Sequence, residues 1–120
     1  MIIALYIVNG LLALVFLATG GMKVVRSRAA LAAAGMTWTT DSSSAQVKLV
    51  GALEVLGALG LILPLATGIA PILTPIAAIG LAVVMVGAVV VHMRHKESPL
   101  PPAVVAVIAI ASAALGFLAL

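Results

Sequence analysis

The sequence contains no cysteine. Without thiols, the chain cannot form or exchange disulfides, hold an iron–sulfur cluster or bind a metal through thiolates. Any redox chemistry associated with it must therefore be carried out by another molecule. Charge is scarce too, because only 8% of the residues are charged and only three are acids. The formal net charge is +3, and nothing in the arrangement of the bases indicates a nucleic-acid partner.

Apolar residues dominate the chain. They make up 65% of the 120 residues, and the mean hydropathy is +1.40. A soluble domain of this length leaves roughly a third of its unfolded-chain surface in contact with solvent after folding, so this composition predicts an integral membrane protein. Four stretches are about long enough to cross a hydrocarbon core: 2–22, 45–66, 71–93 and 102–120. We predict an all-α fold, a four-transmembrane-helix bundle formed as a single domain by residues 1–120.

The first apolar stretch does not have the form of a cleaved signal peptide. Its bases follow the apolar run instead of preceding it, and the run is too long. We therefore expect it to remain in the mature protein. Since the sequence begins and ends within apolar stretches, we also expect no extracytoplasmic domain.

The bases fall on one side of the predicted bundle. The turn "ATGIAP" between the second and third spans carries no charge. All Lys and Arg residues lie near the other two connections: Lys23, Arg26, Arg28, Lys48, Arg94 and Lys96. By the positive-inside rule that side is cytoplasmic. We predict a multi-pass protein of a bacterial plasma membrane with both termini outside.

The connection between the first and second spans contains a segment of its own. Residues 28–34 favour a helix, and Gly35 suits its C-terminal cap. Ser43 and Gln46 have the spacing of a capping box for the second span, and Trp38 suits the headgroup layer. The pattern predicts a short amphipathic or interfacial segment between the first two membrane helices.

Glu54 lies in "VKLVGALEVLGALGLILP", residues 47–64, which otherwise has the pattern of a membrane span. It is about eight residues, on the order of 12 Å, inside the start of that span. An acid at this depth costs roughly 2.5 to 3.5 kcal/mol on insertion scales, so it must stay protonated or find a donor or a cation. Gly51, Gly57 and Ala58 share its helix face, which allows another helix to approach closely. We expect the carboxylate to point into the bundle.

Candidate partners for Glu54 lie on two other predicted helices. In the first span, a stripe of residues at steps of three and four contains Tyr6, Asn9 and Lys23. A similar stripe in the third span reaches His92 at its end. We predict that these side chains converge with Glu54 on one polar cavity that opens toward the cytoplasm.

Each candidate also has an ordinary structural interpretation. Lys23 and His92 lie near the predicted interface, where basic side chains commonly extend toward headgroups. Asn9 suits an interhelical hydrogen bond, and Tyr6 suits an interfacial anchor. Glu54 itself could brace the bundle, although function is the default expectation for an ionisable group at such a depth. No metal site is predicted, because the two histidines near the end of the third span lack a second acid or a thiolate nearby.

Three runs of the sequence resemble the DoxX-like family of small four-helix membrane proteins: "LVFLATGGMKVV", "GALEVLGALGLILP" and "VMVGAVVVHMRHKE". The family pattern has a Gly and a Lys closing the first helix, a Glu in the second and a His closing the third. It maps onto Gly20 or Gly21, Lys23, Glu54 and His92. The resemblance extends over essentially the whole chain.

The resemblance implies a range of functions. Members of the family are associated with a thiosulfate:quinone oxidoreductase, with a mycobacterial membrane complex of oxidative-stress enzymes and, in animals, with receptor assembly in the endoplasmic reticulum. We expect a membrane subunit or adaptor of a redox-related complex, with a small lipophilic or quinone-like ligand in a pocket centred on Glu54. No flavin, haem or nicotinamide motif occurs, so no cofactor is expected within the chain. Expected partners are membrane lipid and a membrane or cytoplasmic protein.

Two other functions stay open at this point. One is a membrane assembly factor or scaffold, in which the same residues brace the bundle and no ligand binds. The other is a small proton-coupled multidrug exporter, which also has four helices and one membrane acid. Such exporters carry that acid in the first helix, and many insert in both orientations, so the one-sided bases argue against this function. The sequence does not specify the ligand, the oligomeric state or whether the protein is catalytic.

Overall fold

Most of the described part of the chain is helical. The computed structural model describes residues 1–36, 38–39 and 42–120. Its helices are α1 (Ile2–Val25), α2 (Arg28–Ala33), α3 (Ser44–Thr67), α4 (Leu73–Arg94) and α5 (Leu100–Ala119). The helices α1, α3, α4 and α5 are each long and apolar enough to cross a membrane, and the described residues include no strand. The predicted all-α, four-transmembrane-helix fold is confirmed.

The helix ends differ from the predicted spans by up to three residues, and the three largest differences have local causes. α1 continues through Lys23 to Val25, because one charged residue does not interrupt a helix, and it stops where Arg26 is extended (φ −96°, ψ 153°). α4 begins at Leu73 instead of residue 71, because Ala70 has a positive φ of 45° in the preceding turn. α5 begins at Leu100 instead of residue 102, because its prolines occupy the first turn, where no backbone donor is needed.

The four long helices form a closed antiparallel ring. α1 packs along α3, α3 along α4 and α4 along α5, while α5 returns to α1 with a smaller contact. Apolar side chains from all four helices fill the centre, among them Phe16, Leu61, Leu81 and Ala109. One end of this ring carries the end of α1, the start of α3, the end of α4 and the start of α5. It holds all six Lys and Arg residues, and we call it the basic end.

The connection from α1 to α3 contains α2 where the short segment was predicted. The Ser27 hydroxyl caps α2 by accepting a hydrogen bond from a backbone N–H, and Leu31 is fully buried, which fastens α2 to the bundle. Gly35 follows with a φ of 106°, a conformation that strongly favours glycine. Ser43 and Gln46 form the predicted capping box at the start of α3. The capping signals in the sequence are therefore confirmed.

Candidate functional site: a buried ion pair beside a cavity

Glu54 faces the interior of the ring. The buried residues of α3 include Gly51, Glu54, Ala58 and Leu61, which recur at steps of three and four and so share one helix face. The Glu54 side chain is 0% exposed. The apolar periodicity of α3 therefore places an acid where it requires partners from another helix.

Both oxygens of the Glu54 carboxylate accept hydrogen bonds from α1. Lys23 Nζ forms an ion pair with Oε1, and the Thr19 hydroxyl donates to Oε2 over 2.6 Å. Thr19 and Lys23 are four residues apart, so they lie one above the other on the same face of α1. Lys23 is itself only 8% exposed. The result is a buried, charge-assisted network between α1 and α3.

Two glycines allow α1 and α3 to come close enough for this network. A Cβ on Gly20 would lie 2.7 Å from the Gly51 carbonyl oxygen and 2.9 Å from the Glu54 Cβ. A Cβ on Gly51 would lie 2.7 Å from both the Gly20 carbonyl oxygen and the Lys23 Cβ. These distances are shorter than ordinary carbon contacts. The two backbones therefore touch at the point from which Lys23 reaches Glu54.

Trp38 covers Lys23 from the connection between α2 and α3. Lys23 Nζ lies 5.9 Å from the centroid of the Trp38 ring, within the range of a cation–π interaction. The neighbouring Thr39 is fully buried, and its hydroxyl donates to the Met36 carbonyl over 2.8 Å. The ammonium group therefore has both a carboxylate and an aromatic ring as neighbours.

A cavity of about 570 Å³ adjoins this network, and we call it the Glu54 cavity. It extends to the basic end, because residues of the connection after α2 line it together with the four long helices. Most of its walls are apolar: Val15, Phe16, Val50, Val84, Met85, Ala88, Val91, Pro102 and Val105. The polar members of the lining are Thr19, Lys23, Glu54, His92 and Glu97. The cavity thus combines apolar walls with one charged pair.

His92 lines the Glu54 cavity near its basic end. Its Nδ1 lies 3.0 Å from the Ser98 carbonyl oxygen and 3.9 Å from a carboxylate oxygen of Glu97. The side chains of His92 and Glu97 are 26% and 30% exposed. The imidazole therefore belongs to the mouth of the cavity, whereas the Lys23–Glu54 pair belongs to its buried part.

A family comparison covers all of these residues. The model of the DoxX-like family matches residues 7–114. This chain belongs to the DoxX-like family. No curated protein and no solved structure matches the chain significantly. The family assignment therefore depends on the sequence pattern of the DoxX-like proteins, and the geometry comes from this chain alone.

The structure of this DoxX-like chain brings three of the five predicted site residues to one cavity: Lys23, Glu54 and His92. Their role in binding a ligand stays a prediction. The other two are not in its lining, so the expected convergence of five side chains is wrong in its geometry. Asn9 donates to the Leu61 carbonyl over 2.9 Å and accepts from the Ser112 hydroxyl. It makes the interhelical hydrogen bonds considered as its alternative.

Tyr6 is 40% exposed and lies on the outside of the bundle. The predicted stripe fails here because α1 has 3.6 residues per turn, so steps of four and three drift around the helix over several turns. The buried position at this level of α1 is Leu5, which is 0% exposed. Lys23 and Tyr6 therefore do not share a face, although both fit the sequence pattern.

Thr19 is the member of the site that sequence reasoning missed in this DoxX-like chain. Its hydroxyl satisfies the second carboxylate oxygen of Glu54. The available signal was its position four residues before Lys23, which predicts a shared helix face. The described residues contain no group of three potential His, Cys, Asp or Glu metal ligands.

Proposed function

We propose that this DoxX-like membrane protein binds a small lipophilic or quinone-like ligand in the Glu54 cavity and acts as a membrane subunit or adaptor of a redox-related complex. The observation that carries the proposal is the buried Lys23–Glu54 pair beside a cavity with apolar walls. The one-sided distribution of bases supports a bacterial plasma membrane location with both termini outside.

An ion pair is a poor means of stabilising a helix bundle. Removing two charges from water costs several kcal/mol per ion, and apolar residues of similar volume are often equally or more stabilising. Glu54 is 0% exposed and Lys23 is 8% exposed, so most of this cost applies here. A charged pair inside apolar helices is therefore better explained by an interaction with a ligand or a proton than by stability.

The dimensions of the cavity fit a small organic molecule. Ligand sites typically enclose about 300 to 1,000 Å³ and combine mostly apolar walls with a few converging polar groups. The Glu54 cavity has about 570 Å³ and polar groups at its Lys23–Glu54 part and its mouth. A ring-sized head group with a short apolar tail matches this volume.

A partner protein is part of the proposal because the chain contains no cysteine. Thiol and iron–sulfur chemistry must come from another protein. The contribution of this chain is to hold the ligand, to donate or accept a hydrogen bond at Lys23 and Glu54, and to exclude water around it. These are the tasks of a subunit or an adaptor.

One observation favours a scaffold as the second candidate function. The contacts of Thr19 and Lys23 with Glu54 connect α1 to α3 directly. In a scaffold, this network would brace the bundle, and the outer surface would meet a client protein. The two functions differ in whether a ligand enters the cavity.

Trp38 supplies a direct test, because it is the only tryptophan in the chain and lines the cavity. We propose to titrate the purified protein in lipid nanodiscs with decyl-benzoquinone and to record Trp38 fluorescence. Binding near Trp38 predicts saturable quenching. Ala88→Phe, which fills the cavity from α4, is expected to abolish the saturable component.

Ser112→Ala is the matched control for this titration. It removes a buried interhelical hydrogen bond to Asn9 that lies outside the cavity lining, and it should leave the quenching unchanged. Linear quenching that is identical in wild type and Ala88→Phe would reflect quinone dissolved in the lipid. That result would reject the ligand function and favour the scaffold.

A further inference from the structure

At the buried part of the Glu54 cavity, Lys23 and Glu54 differ in how readily they can form a hydrogen bond with a ligand. Both carboxylate oxygens of Glu54 already accept hydrogen bonds, from Lys23 and from Thr19. An ammonium group has three N–H donors and no acceptor, and among the described residues Glu54 accepts a hydrogen bond from Lys23. The Lys23 side chain is 10% exposed and the Glu54 side chain is 0% exposed, so this part of the cavity presents a ligand with the N–H donors of Lys23 more than with the carboxylate.

The net charge at the same place is zero. Lys23 and Glu54 neutralise each other, and both are buried. A cationic head group would lie beside the Lys23 ammonium, and an anionic one would lie beside the Glu54 carboxylate. Either would leave a buried charge without its own counter-charge, which is strongly unfavourable. An uncharged head group avoids this cost.

The other ionisable side chains of the lining do not change this balance of charge. His92 and Glu97 lie at the mouth, where their side chains are 26% and 30% exposed, and they contact each other. Solvent screens charges at such positions more strongly than at the buried pair. The selection between head groups is therefore made at Lys23 and Glu54.

We infer that the Glu54 cavity selects uncharged lipophiles whose polar end is a carbonyl hydrogen-bond acceptor, and that Lys23 donates the hydrogen bond. Glu54 positions and neutralises Lys23, Thr19 holds Glu54, and the Trp38 ring borders the same space. This inference rests on the proposed ligand function and adds the head-group chemistry. It also excludes lipophilic cations, the class of substrate that a free membrane carboxylate would attract.

The test uses four bromine-tagged dodecyl compounds that differ only in the head: a methyl ketone, a carboxylate, a quaternary ammonium and the plain hydrocarbon. Bromine quenches tryptophan at contact, so Trp38 reports binding of each compound to the full-length protein in nanodiscs. We expect the ketone to bind about tenfold more tightly than each of the other three, the gain from one charge-assisted hydrogen bond.

The double variant Lys23→Met/Glu54→Met removes the donor without leaving a single buried charge. It should bind the hydrocarbon as wild type does, and the tenfold preference for the ketone should vanish. A ketone preference that persists in the double variant would overturn the inference. An infrared measurement does not depend on this variant: the stretch of an isotope-labelled ketone carbonyl should shift to lower wavenumber on binding to wild type, and an unshifted band would overturn the inference.

The outcomes separate the inference from the proposed function. Equal saturable binding of all four compounds, or tightest binding of the carboxylate or the ammonium, would overturn the head-group inference and leave a lipophile-binding cavity. The absence of saturable quenching by any compound would overturn both.

Discussion

Removing one partner of the Lys23–Glu54 ion pair is expected to lower stability far more than replacing both partners with apolar residues. Glu54→Gln leaves a buried ammonium without a counter-charge, and removing one partner of a buried pair typically costs about 3 to 5 kcal/mol. Replacing both residues, as in Lys23→Met/Glu54→Met, removes the desolvation penalty together with the attraction. We predict a large loss of stability for the single variant and a nearly wild-type value for the double variant.

The free energy of unfolding in mixed detergent micelles measures this prediction. Small and equal losses of stability in the single and double variants would contradict the prediction. They would mean that water solvates the Lys23 ammonium when Gln replaces Glu54. Ser112→Ala again serves as the control for losing one buried hydrogen bond elsewhere in the bundle.

Thr19 should contribute to stability through the hydrogen bond that its hydroxyl donates to Glu54, and not through packing. Thr19→Val keeps the shape of the side chain and removes the 2.6 Å hydrogen bond to Glu54. Hydrogen bonds to charged groups are worth about 1.5 to 3 kcal/mol, so we predict a loss of that size. Thr19→Ser, which keeps the hydroxyl, should stay closer to wild type in the same unfolding measurement, and equal losses in the two variants would contradict a hydrogen-bonding role.

At this scale the sequence predicts some residues of the site and not others, for physical reasons. Glu54 was recognisable because an acid in an apolar helix must face inward, and Lys23 because it lies on the predicted helical stripe of the first span. Tyr6 was misplaced because a stripe read over many residues drifts around the helix. The spacing of Thr19 to Lys23 indicates a shared helix face, but the contact of Thr19 with Glu54 depends on the crossing of α1 and α3. The approach of Trp38 to Lys23 depends on the path of the connection after α2.

At the scale of elements, the crossing of α1 over α3 at Gly20 and Gly51 controls the site. Gly20→Ala would place a Cβ 2.7 Å from the Gly51 carbonyl oxygen, so the helices must separate. Overpacking of this kind costs about 1 to 3 kcal/mol. The separation should also lengthen the Lys23–Glu54 contact, so we predict lower stability together with weaker quinone quenching of Trp38.

The adjacent Gly21→Ala is a close control for this prediction. A Cβ on Gly21 meets nothing within 4 Å, and alanine is favoured over glycine in a helix by about 1 kcal/mol. Gly21→Ala should therefore be neutral or stabilising in the same unfolding assay. Equal effects of the two variants would show that helix propensity, and not the crossing, determines the outcome.

The existence of the elements was more predictable than their limits. The four spans followed from long apolar runs, and the capping box at Ser43 and Gln46 followed from its spacing. The start of α4 was misjudged by two residues because Ala70 adopts a positive φ of 45°, which is uncommon for a non-glycine residue. Periodicity identifies the buried face of a helix. It does not predict which other helix packs against that face, because the two helices can be distant in sequence.

At the scale of the whole molecule, the charge distribution predicts orientation. All six Lys and Arg residues lie at the basic end, and the turn between α3 and α4, at the opposite end of the ring, has none. Bases of short loops are retained in the cytoplasm. The basic end should therefore be cytoplasmic, and the mouth of the Glu54 cavity near His92 should open on the same side.

Labelling of single cysteines tests the orientation without background, because the chain has no cysteine of its own. Ser44, the first residue of α3, and Ile69, just beyond its end, are both exposed, and the 24 residues of α3 span about 36 Å. Ile69→Cys should react with a membrane-impermeant maleimide in intact spheroplasts, whereas Ser44→Cys should react only after lysis. The reverse pattern would show that the termini are cytoplasmic. Reaction of both sites in intact spheroplasts would indicate mixed orientations, which a charge difference of six bases to none should prevent.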